Sequence, residues 1–479
     1  MKLSLKLENQ EILKTINNFS KKNKVELYLV GGFLRDILLN RQKENPDIDF
    51  CLKQGAISFG KKLARKLKAG FVVLDRAHGA CRLVKKIKDK VYTLDFTDFR
   101  GKTLKDDLLH RDFSINSLAI ELENSLNPYL HNLLIDPYGA REDIGSKIIR
   151  AVNKQAFIED PLRILRAFSF SSMLGFKIEK ETLRLAKAAR RKISAVSYER
   201  IRDELFKIFG TPNSYNYFVT MDKLGILKEI IPEIEMMRHV KQGPYHHLDV
   251  WQHTLETLRQ LEILCIELRH KKEIQDYLDE IISSERRRRS LIKLAALLHD
   301  IGKPRALFRE DGKIKFHGHE RIGFEIAEVI IKRLRLSNEE LDSLRKMILW
   351  HLRPGYLADN DEVTPRATFR YFRDTAQEGV STLLLSIADQ RATKGRLTTK
   401  ESRVRHEKTV FALIKEYFRK KNEKKLPRLI NGDDLLKYFK LQPSPLIGKV
   451  LKEIEELQAI GEIKTRSQAQ EAAKRLIDL

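Results

Sequence analysis

The hydrophobic pattern of this chain changes period once, and the change separates two kinds of structure. Up to residue 121 the apolar residues come in short runs that alternate or end in glycine: VELYLVGG, DIDFCLK, FVVLD, ACRLVKK and VYTLDFTDF. Period-two runs rich in β-branched and aromatic residues predict strands. Residues 5–22, FLRDILLNR and ISFGKKLARKLKAG carry helical spacing between them. From residue 155 to 400 nearly every stretch has helical period, as in FIEDPLRILRAFSFSSMLGF and ETLRLAKAARRKI, each read as one helix. The segment from 401 onward is helical again, broken by NGDD and LQPSP. The expected fold is an α/β head with a mixed or mostly antiparallel sheet, followed by an all-α remainder. TPNSYN near residue 211 and GPYHH near residue 243 are the expected joints.

Charge narrows the partner. The 479 residues include 91 Lys and Arg against 66 Asp and Glu, a formal net charge of +25. An excess of this size suits a polyanion, because neutralising phosphates releases their counterions. The run Arg286 to Arg289 reads either as a solvated face or as a phosphate contact. No apolar stretch is long enough for a transmembrane helix, and MKLSLKLENQEILK has no apolar signal core. Cys51, Cys81 and Cys265 are too scattered for a disulfide framework or a zinc site. No membrane partner and a reducing, cytoplasmic setting are expected.

Two features of the head point to chemistry. LVGGFLRD puts Gly31 and Gly32 at a strand-to-helix turn, with Arg35 and Asp36 following. Glycine lets the backbone approach phosphate, and a helix N-terminus offers N–H groups to an anion. Such a turn is more often only a tight turn. Downstream, Asp47 and Asp49 flank Ile48 on an expected strand, so both carboxylates face one side. Magnesium, held by one or two carboxylates plus substrate phosphates, relieves their repulsion. Asp95 in TLDFTDF adds a third acid on another strand, while Asp98 faces the other way. Metals on such acids activate an attacking oxygen and stabilise a leaving pyrophosphate. The bland alternative is an acid pair on an exposed strand.

Motif order separates these readings. LVGGFLRD followed by DID resembles motif A of the class II tRNA nucleotidyltransferases, the CCA-adding and CC-adding enzymes of the poly(A) polymerase family. HRDFSINSLAI resembles motif B, DPYGAREDI motif C, EDPLRILRAFSFSSMLGF motif D and YERIRDELFKIF motif E. The resemblance implies a nucleotidyltransferase head with a polymerase-beta-like sheet over 1–121. It implies a nucleotide-selecting and RNA-binding neck over 122–210, a helical body over 211–400 and a tRNA-contacting tail over 401–479. Asp47 and Asp49 would be catalytic magnesium ligands, with Asp95 as third carboxylate. Gly31, Gly32, Arg35 and Asp36 would hold the triphosphate of CTP or ATP. Arg111, Asp112 and Asn116 would position ribose and phosphates. His110 departs from the family's usual arginine, so a phosphate contact there depends on pH.

Asp160, Arg163 and Arg166 fall at i, i+3 and i+6 of one expected helix and so share a face. A carboxylate accepts from the amino group of C or A and a guanidinium donates to ring acceptors, whereas G and U present the opposite pattern. An isolated pair of this kind is usually a surface salt bridge. In the resembling family it is the protein template for CTP and ATP. The stretch FRGKTLKDDLLHRDF passes almost directly from the last long strand to motif B. Family members that add the terminal A carry a flexible insertion there. The expected reaction is therefore CC addition to tRNA 3′ ends, with full CCA addition or poly(A) polymerisation as alternatives.

A second constellation lies in the helical half. It comprises His253 in VWQHTLETL, His299 and Asp300 in LAALLHDIGKP, His317 and His319 in FHGHE, His351 in ILWHLRP and Asp389 in IADQRA. A lone helical histidine is more often a satisfied core group. Several with carboxylates suit a divalent transition metal or magnesium. HDIGKP resembles the signature of HD-domain phosphohydrolases. That resemblance implies His253, His299, Asp300 and Asp389 as ligands, His319 and His351 as additional ones, and His317 as an alternative to His319. It implies a second, metal-dependent phosphohydrolase activity. The competing readings are a domain that only supports tRNA, and a phosphohydrolase whose head only binds RNA. The tail from LINGDDLLKYF onward resembles the C-terminal region of bacterial CCA-adding enzymes and supports a tRNA partner, held by its backbone.

Overall fold

The computed structural model describes residues 6–127, 129–360, 362–423 and 427–477. The chain forms two compact units. One runs to Ile208 and includes Leu224–Ile230, and the other comprises Phe209–Lys223 and the chain from Ile231 onward.

Six strands of the first unit form one mixed sheet. They are β1 (Tyr28–Val30), β2 (Asp47–Leu52), β3 (Gly70–Asp75), β4 (Ala80–Ile87), β5 (Lys90–Asp98) and β6 (Ala119–Glu121). Their spatial order is β3-β4-β5-β2-β1-β6. Only β2 and β5 run parallel. A parallel pair needs a long connection. A helix over Ala56–Leu67 and the β3–β4 hairpin supply it. Period-two alternation decides which face is covered: Tyr92, Leu94 and Phe96 of β5 are buried, while Thr93, Asp95 and Thr97 are not. On the covered face Phe96 stacks on Phe50 at 4.8 Å, and Phe59 of the crossover helix meets Phe96 at 5.6 Å. On the other face Val30, Cys51 and Ala119 cluster with Leu108 of the helix Leu104–Leu109, and the part around Asp95 and Arg82 is left uncovered.

The helices of this unit, in chain order, are α1 (Leu7–Lys22), α2 (Gly32–Leu38), α3 (Ala56–Leu67), α4 (Leu104–Leu109), α5 (Ala140–Ser146), α6 (Ala156–Glu159), α7 (Arg163–Leu174), α8 (Lys180–Ala189), α9 (Tyr198–Phe209) and α10 (Leu227–Ile230). Residue 5, where the first helix was expected to begin, lies outside the described residues. The expected single helix through FIEDPLRILRAF is two. Proline disfavours the helical region for the residue before it. Asp160, before Pro161, takes φ −143° and ψ 102°. α6 therefore ends at Glu159 and α7 starts at Arg163, so Asp160 is not on the helical face expected for it.

The second unit is mostly helical. Helix Gly379–Ala392 is buried along nearly its whole length, and Val250–Glu267 and Lys400–Lys421 pack against it. The all-α expectation for the remainder needs a small correction. Ile148–Ile149 pairs with Lys177–Ile178 in the first unit. Ile281–Ser283 with Arg286–Arg287, and Phe308–Glu310 with Lys313–Lys315, form hairpins in the second. Arg287 of the arginine run is exposed, but the other three arginines are tied into ion pairs. Arg286 pairs with Glu340, Arg289 with Asp279 at 3.2 Å, and the fully buried Arg288 with Glu378 and with Glu280 at 2.8 Å. The tail has its own small core of Ile430, Leu435, Val450, Ile454, Ala469 and Ala473. Among the described residues, no helix is long and apolar enough to cross a membrane.

Candidate active site and metal centre

The parallel register of β2 and β5 sets Asp49 directly beside Asp95. Asp47 stands two residues before Asp49 at the exposed start of β2, 3.4 Å from Lys43 Nζ. Burial pushes the Asp49 carboxyl upward, and the charges of Asp95 and Asp47 add to that rise against the opposing pull of Arg111. Crowded carboxylates with oxygen donors on one face are the donor set that suits a hard divalent cation. Asp95 is already engaged: Arg82 Nε and Nη2 on β4 donate to its two oxygens, each at 2.8 Å.

Gly31 closes this corner. Its φ is +79°, and a Cβ there would lie 2.9 Å from Arg111 Nη1 and 3.0 Å from Asp49 Oδ2. Only glycine meets both conditions. Next to it opens a cavity of about 380 Å³. Its walls include Gly31, Gly32, Arg35, Asp49, Asp95, Arg111, Asp112, Asn116, Asp160, Arg163 and Arg166, so most of the expected nucleotide-site residues share one space.

Hydrogen bonds fix the walls. Arg35 Nη1 donates to Asn116 Oδ1 at 2.7 Å, and Asn116 Nδ2 donates to Asp112 Oδ1 at 3.0 Å. Arg166 donates twice to Asp112 Oδ2, at 2.7 and 2.9 Å. Despite its burial, Asp112 is held below the usual carboxylate range by the charge of Arg166 and by these bonds. The guanidiniums of Arg35 and Arg166 lie over the Phe170 ring at 5.1 and 4.9 Å. Asp36 is not among the cavity's lining residues; it accepts from Arg35 Nε and Nη2 and so orients that side chain.

The expected template residues are placed differently from the helix-face picture. Arg163 is buried and donates to the carbonyls of Ala156, at 3.1 Å, and His110. Asp160 accepts from Leu162 N at 3.1 Å and from Arg200 Nη2 at 2.8 Å. Both line the cavity; Arg163 N donates to the Asp160 carbonyl at 3.0 Å, while their side chains take the separate partners just named. His110 meets Glu159 Oε2 through Nδ1 at 3.3 Å, while its carbonyl anchors Arg163, a role that any residue could fill. Arg82, Arg200 and Phe170 were not foreseen. Arg200 lies in the motif E segment YERIRDELFKIF, but spacing alone does not reveal its partner.

The second constellation converges in the helical unit as two triads, His253–His299–Asp389 and Asp300–His319–His351. Asp300 stands between them: His299 Nε2 is 3.2 Å from its Oδ2 and His319 Nε2 3.4 Å from its Oδ1. Nδ1 of His299, His319 and His351 each faces a carbonyl, of Ala296, Phe316 and Ile348, at 2.7 to 2.9 Å. That leaves every Nε2 turned inward as an acceptor, the usual arrangement behind a metal. Both Asp300 oxygens and His299 Nε2 are buried without a hydrogen bond. Such groups are costly unless a cation takes them up, so the residues fit a divalent metal centre. His317 lies outside these groups, against Phe308 at 5.2 Å, and His319 lies within one of them.

Comparison with known proteins covers both regions of the chain. Residues 27–150 match the model of the poly(A) polymerase head domain, 175–237 that of the RNA- and SrmB-binding site of polymerase A, 250–393 that of the HD domain and 324–473 that of tRNA nucleotidyltransferase domain 2. The chain thus carries matches to a poly(A) polymerase head, its RNA-binding region, an HD domain and a tRNA nucleotidyltransferase domain. Among its relatives, an A-adding tRNA nucleotidyltransferase of Deinococcus radiodurans is 28% identical, over 93% of this chain and 94% of that one. A CC-adding tRNA nucleotidyltransferase of Geobacter sulfurreducens is also 28% identical, over 92% and 90%. The Thermotoga maritima CCA-adding enzyme complexed with tRNA shares the fold at a TM-score of 0.64 and 22% identity, covering 99% of this chain and 96% of that one. The cavity residues from Gly31 to Asn116 lie within the matched head domain, and both His–Asp triads lie within the matched HD domain.

Proposed function

We propose that this chain is a template-independent tRNA nucleotidyltransferase, adding C residues to tRNA 3′ ends from CTP with release of pyrophosphate, in the cytoplasm. The observation that carries this reading is the registered Asp49–Asp95 pair beside a phosphate-sized turn at Gly31, opening on a cavity that also holds Asp160 and Arg163. Asp47 and Asp49 would hold magnesium, which when bound screens the triphosphate and favours loss of pyrophosphate. Arg111, buried against Asp49, and Arg35, fixed by Asp36 and Asn116, place cations at the triphosphate. Asp160 offers an acceptor to a cytosine or adenine amino group, and Arg163 shapes the wall that keeps other bases out. The segments 1–121, 122–210, 211–400 and 401–479 are taken as head, neck, body and tail.

Product length is read from one connection. Residues 99–103 alone join β5 to α4, and Thr103 caps α4 in a reciprocal bond with Asp106. That cap leaves no slack for a flexible insertion, which supports stopping after CC. The Deinococcus relative supports a second reading, addition of the terminal A. Incubation with CTP and ATP on transcripts lacking CCA, and on transcripts ending in CC, tests both. Two C residues and no A on the first transcript support the proposal. A added to either transcript refutes it.

The two His–Asp triads support a second activity, hydrolysis of phosphate esters with a divalent transition metal or magnesium. Metal analysis of the purified protein and phosphatase assays on His299→Ala test it. Absence of both metal and activity leaves this domain a support for tRNA.

A further inference from the structure

Transfer in line through the α-phosphate puts the attacking oxygen and the leaving pyrophosphate on opposite sides. The residues that surround the triphosphate side, Gly31, Arg35, Arg111 and Asn116, come from segments flanking β1 and β6. From the acidic pair of β2 and β5, the opposite direction along the sheet leads to β4 and then β3. Register aligns Asp49, Asp95, Arg82 and Val72 across four neighbouring strands. Residues directly paired across strands point to the same face. The acceptor side of the carboxylates is therefore faced by Arg82 and, beyond it, Val72.

This half of the face is open. Arg82 is 44% exposed in its side chain, and Val72 and Val84 are 55% and 42% exposed. Lys86, also exposed, continues the same side of β4. Arg82 gives Nε and Nη2 to Asp95, and Nη1 has no hydrogen-bond partner among the described residues. A guanidinium oriented by a carboxylate, with one edge free, suits a phosphodiester oxygen. Aliphatic side chains beside it suit the flat face of a sugar or base, and Lys86 adds a second cation on the same side of β4.

We infer that the β3–β4 half of this face seats the RNA 3′ end, with Arg82 binding its last phosphodiester and Val72 and Val84 packing against the terminal nucleotide. Asp95 then acts through Arg82 as well as beside Asp49. The inference rests on the nucleotidyl-transfer reading above.

The probe is a tRNA transcript lacking CCA, with CTP in a steady-state assay. Arg82→Ala raises KM for the transcript about tenfold, the loss of one charge-assisted contact. It flattens the slope of log kcat/KM against log salt by about 1. KM for CTP and Mn²⁺ affinity read by electron paramagnetic resonance stay unchanged. Val72→Glu, at an exposed site, raises KM for the transcript with no change in the thermal unfolding midpoint. If the wild type adds C while Arg82→Ala keeps its RNA KM and salt slope, the inference is overturned and the transfer reading stands. If Arg82→Ala instead shifts Mn²⁺ affinity and KM for CTP, Arg82 serves the metal side and the inference is again overturned. A wild type that adds no nucleotide overturns the transfer reading together with the inference.

Discussion

Asp160 is held by Arg200, whose Nη2 donates to Oδ2 at 2.8 Å, although the two residues stand on separate segments of the cavity wall. The remaining oxygen, Oδ1, takes the Leu162 N–H. The carboxylate offered to a base is thus aimed by a cation from α9 and by a proline turn, not by a helix face. Arg200→Met should leave the Asp49 region intact and free Asp160 to rotate. The expected outcome is relaxed nucleotide choice, with G or U incorporation rising about tenfold relative to C, the scale of one lost charged hydrogen bond. A four-nucleotide competition assay reads it. Unchanged choice would show that Arg200 only braces the surface.

Gly31→Ala meets two obstacles at once. The backbone at φ +79° disfavours a side chain, and the new Cβ would press on Arg111 Nη1 at 2.9 Å and Asp49 Oδ2 at 3.0 Å. The conformational cost alone is about 1 to 3 kcal/mol. Displacement of Asp49 should remove transfer, while RNA binding measured by filter retention persists. Transfer at wild-type rate would show that the corner is softer than its geometry implies.

Much of this was legible in the chain, and the failures have local causes. Strand alternation located β2 and β5 and separated Asp95 from Asp98, which instead accepts from Ala56 N at 2.7 Å. It could not give the register that joins Asp49 to Asp95 and Asp95 to Arg82, because pairing between strands is non-local. Helical spacing alone places Asp160 on α7, but Pro161 excludes its neighbour from the helical region. The arginine run looked solvated because charge patterns do not show that Arg288 is buried against Glu378. The histidines were visible one by one, but the choice of His319 over His317 needed the fold.

Lys293 is a further case of hidden pairing. It is 2% exposed, lies below its usual pKa range because of burial, and donates to Glu262 Oε1 at 2.7 Å. The same oxygen takes Ser214 N at 2.7 Å, so this pair fastens Ser214–Lys223 to the long helix Val250–Glu267. Lys293→Met leaves a buried carboxylate without its cation and should cost about 3 to 5 kcal/mol. Urea unfolding measures this, and Glu262→Gln added to Lys293→Met should recover part of the loss. A single variant as stable as wild type would exclude the pair as a fastener.

His406 sets a pH dependence. Burial holds its pKa below the ordinary value, with Asp389 opposing weakly, and Nε2 meets Ser386 Oγ at 3.1 Å. The folded state therefore binds its proton less readily than the unfolded chain, which titrates near about 6.5. Stability should be full above that pH and fall as pH drops below it. His406→Gln should flatten the acid side of the stability curve relative to wild type, measured by chemical denaturation between about pH 5 and 7. Parallel curves for both proteins would show that His406 titrates alike in the folded and unfolded states.

The HD centre predicts a linkage between metal and stability. Asp300 lies well below the usual carboxylate range in spite of its burial, because His299 and Lys303 face it. Lys303 Nζ is 2.7 Å from Oδ2, so one cation already touches the carboxylate that joins the triads. That contact serves a single oxygen, and the inward Nε2 atoms of His299, His319 and His351 still require a partner that accepts lone pairs. A divalent ion bound only by the folded state stabilises it by about 2.7 kcal/mol at a hundredfold excess over Kd. Dialysis against a chelator should lower the unfolding midpoint, and restoring the metal should return it. Asp300→Asn, which removes the charge between the triads but keeps the side-chain shape, should abolish the shift. Equal midpoints with and without chelator would mean that Lys303 and the histidines satisfy Asp300 alone, and that the triads hold no metal.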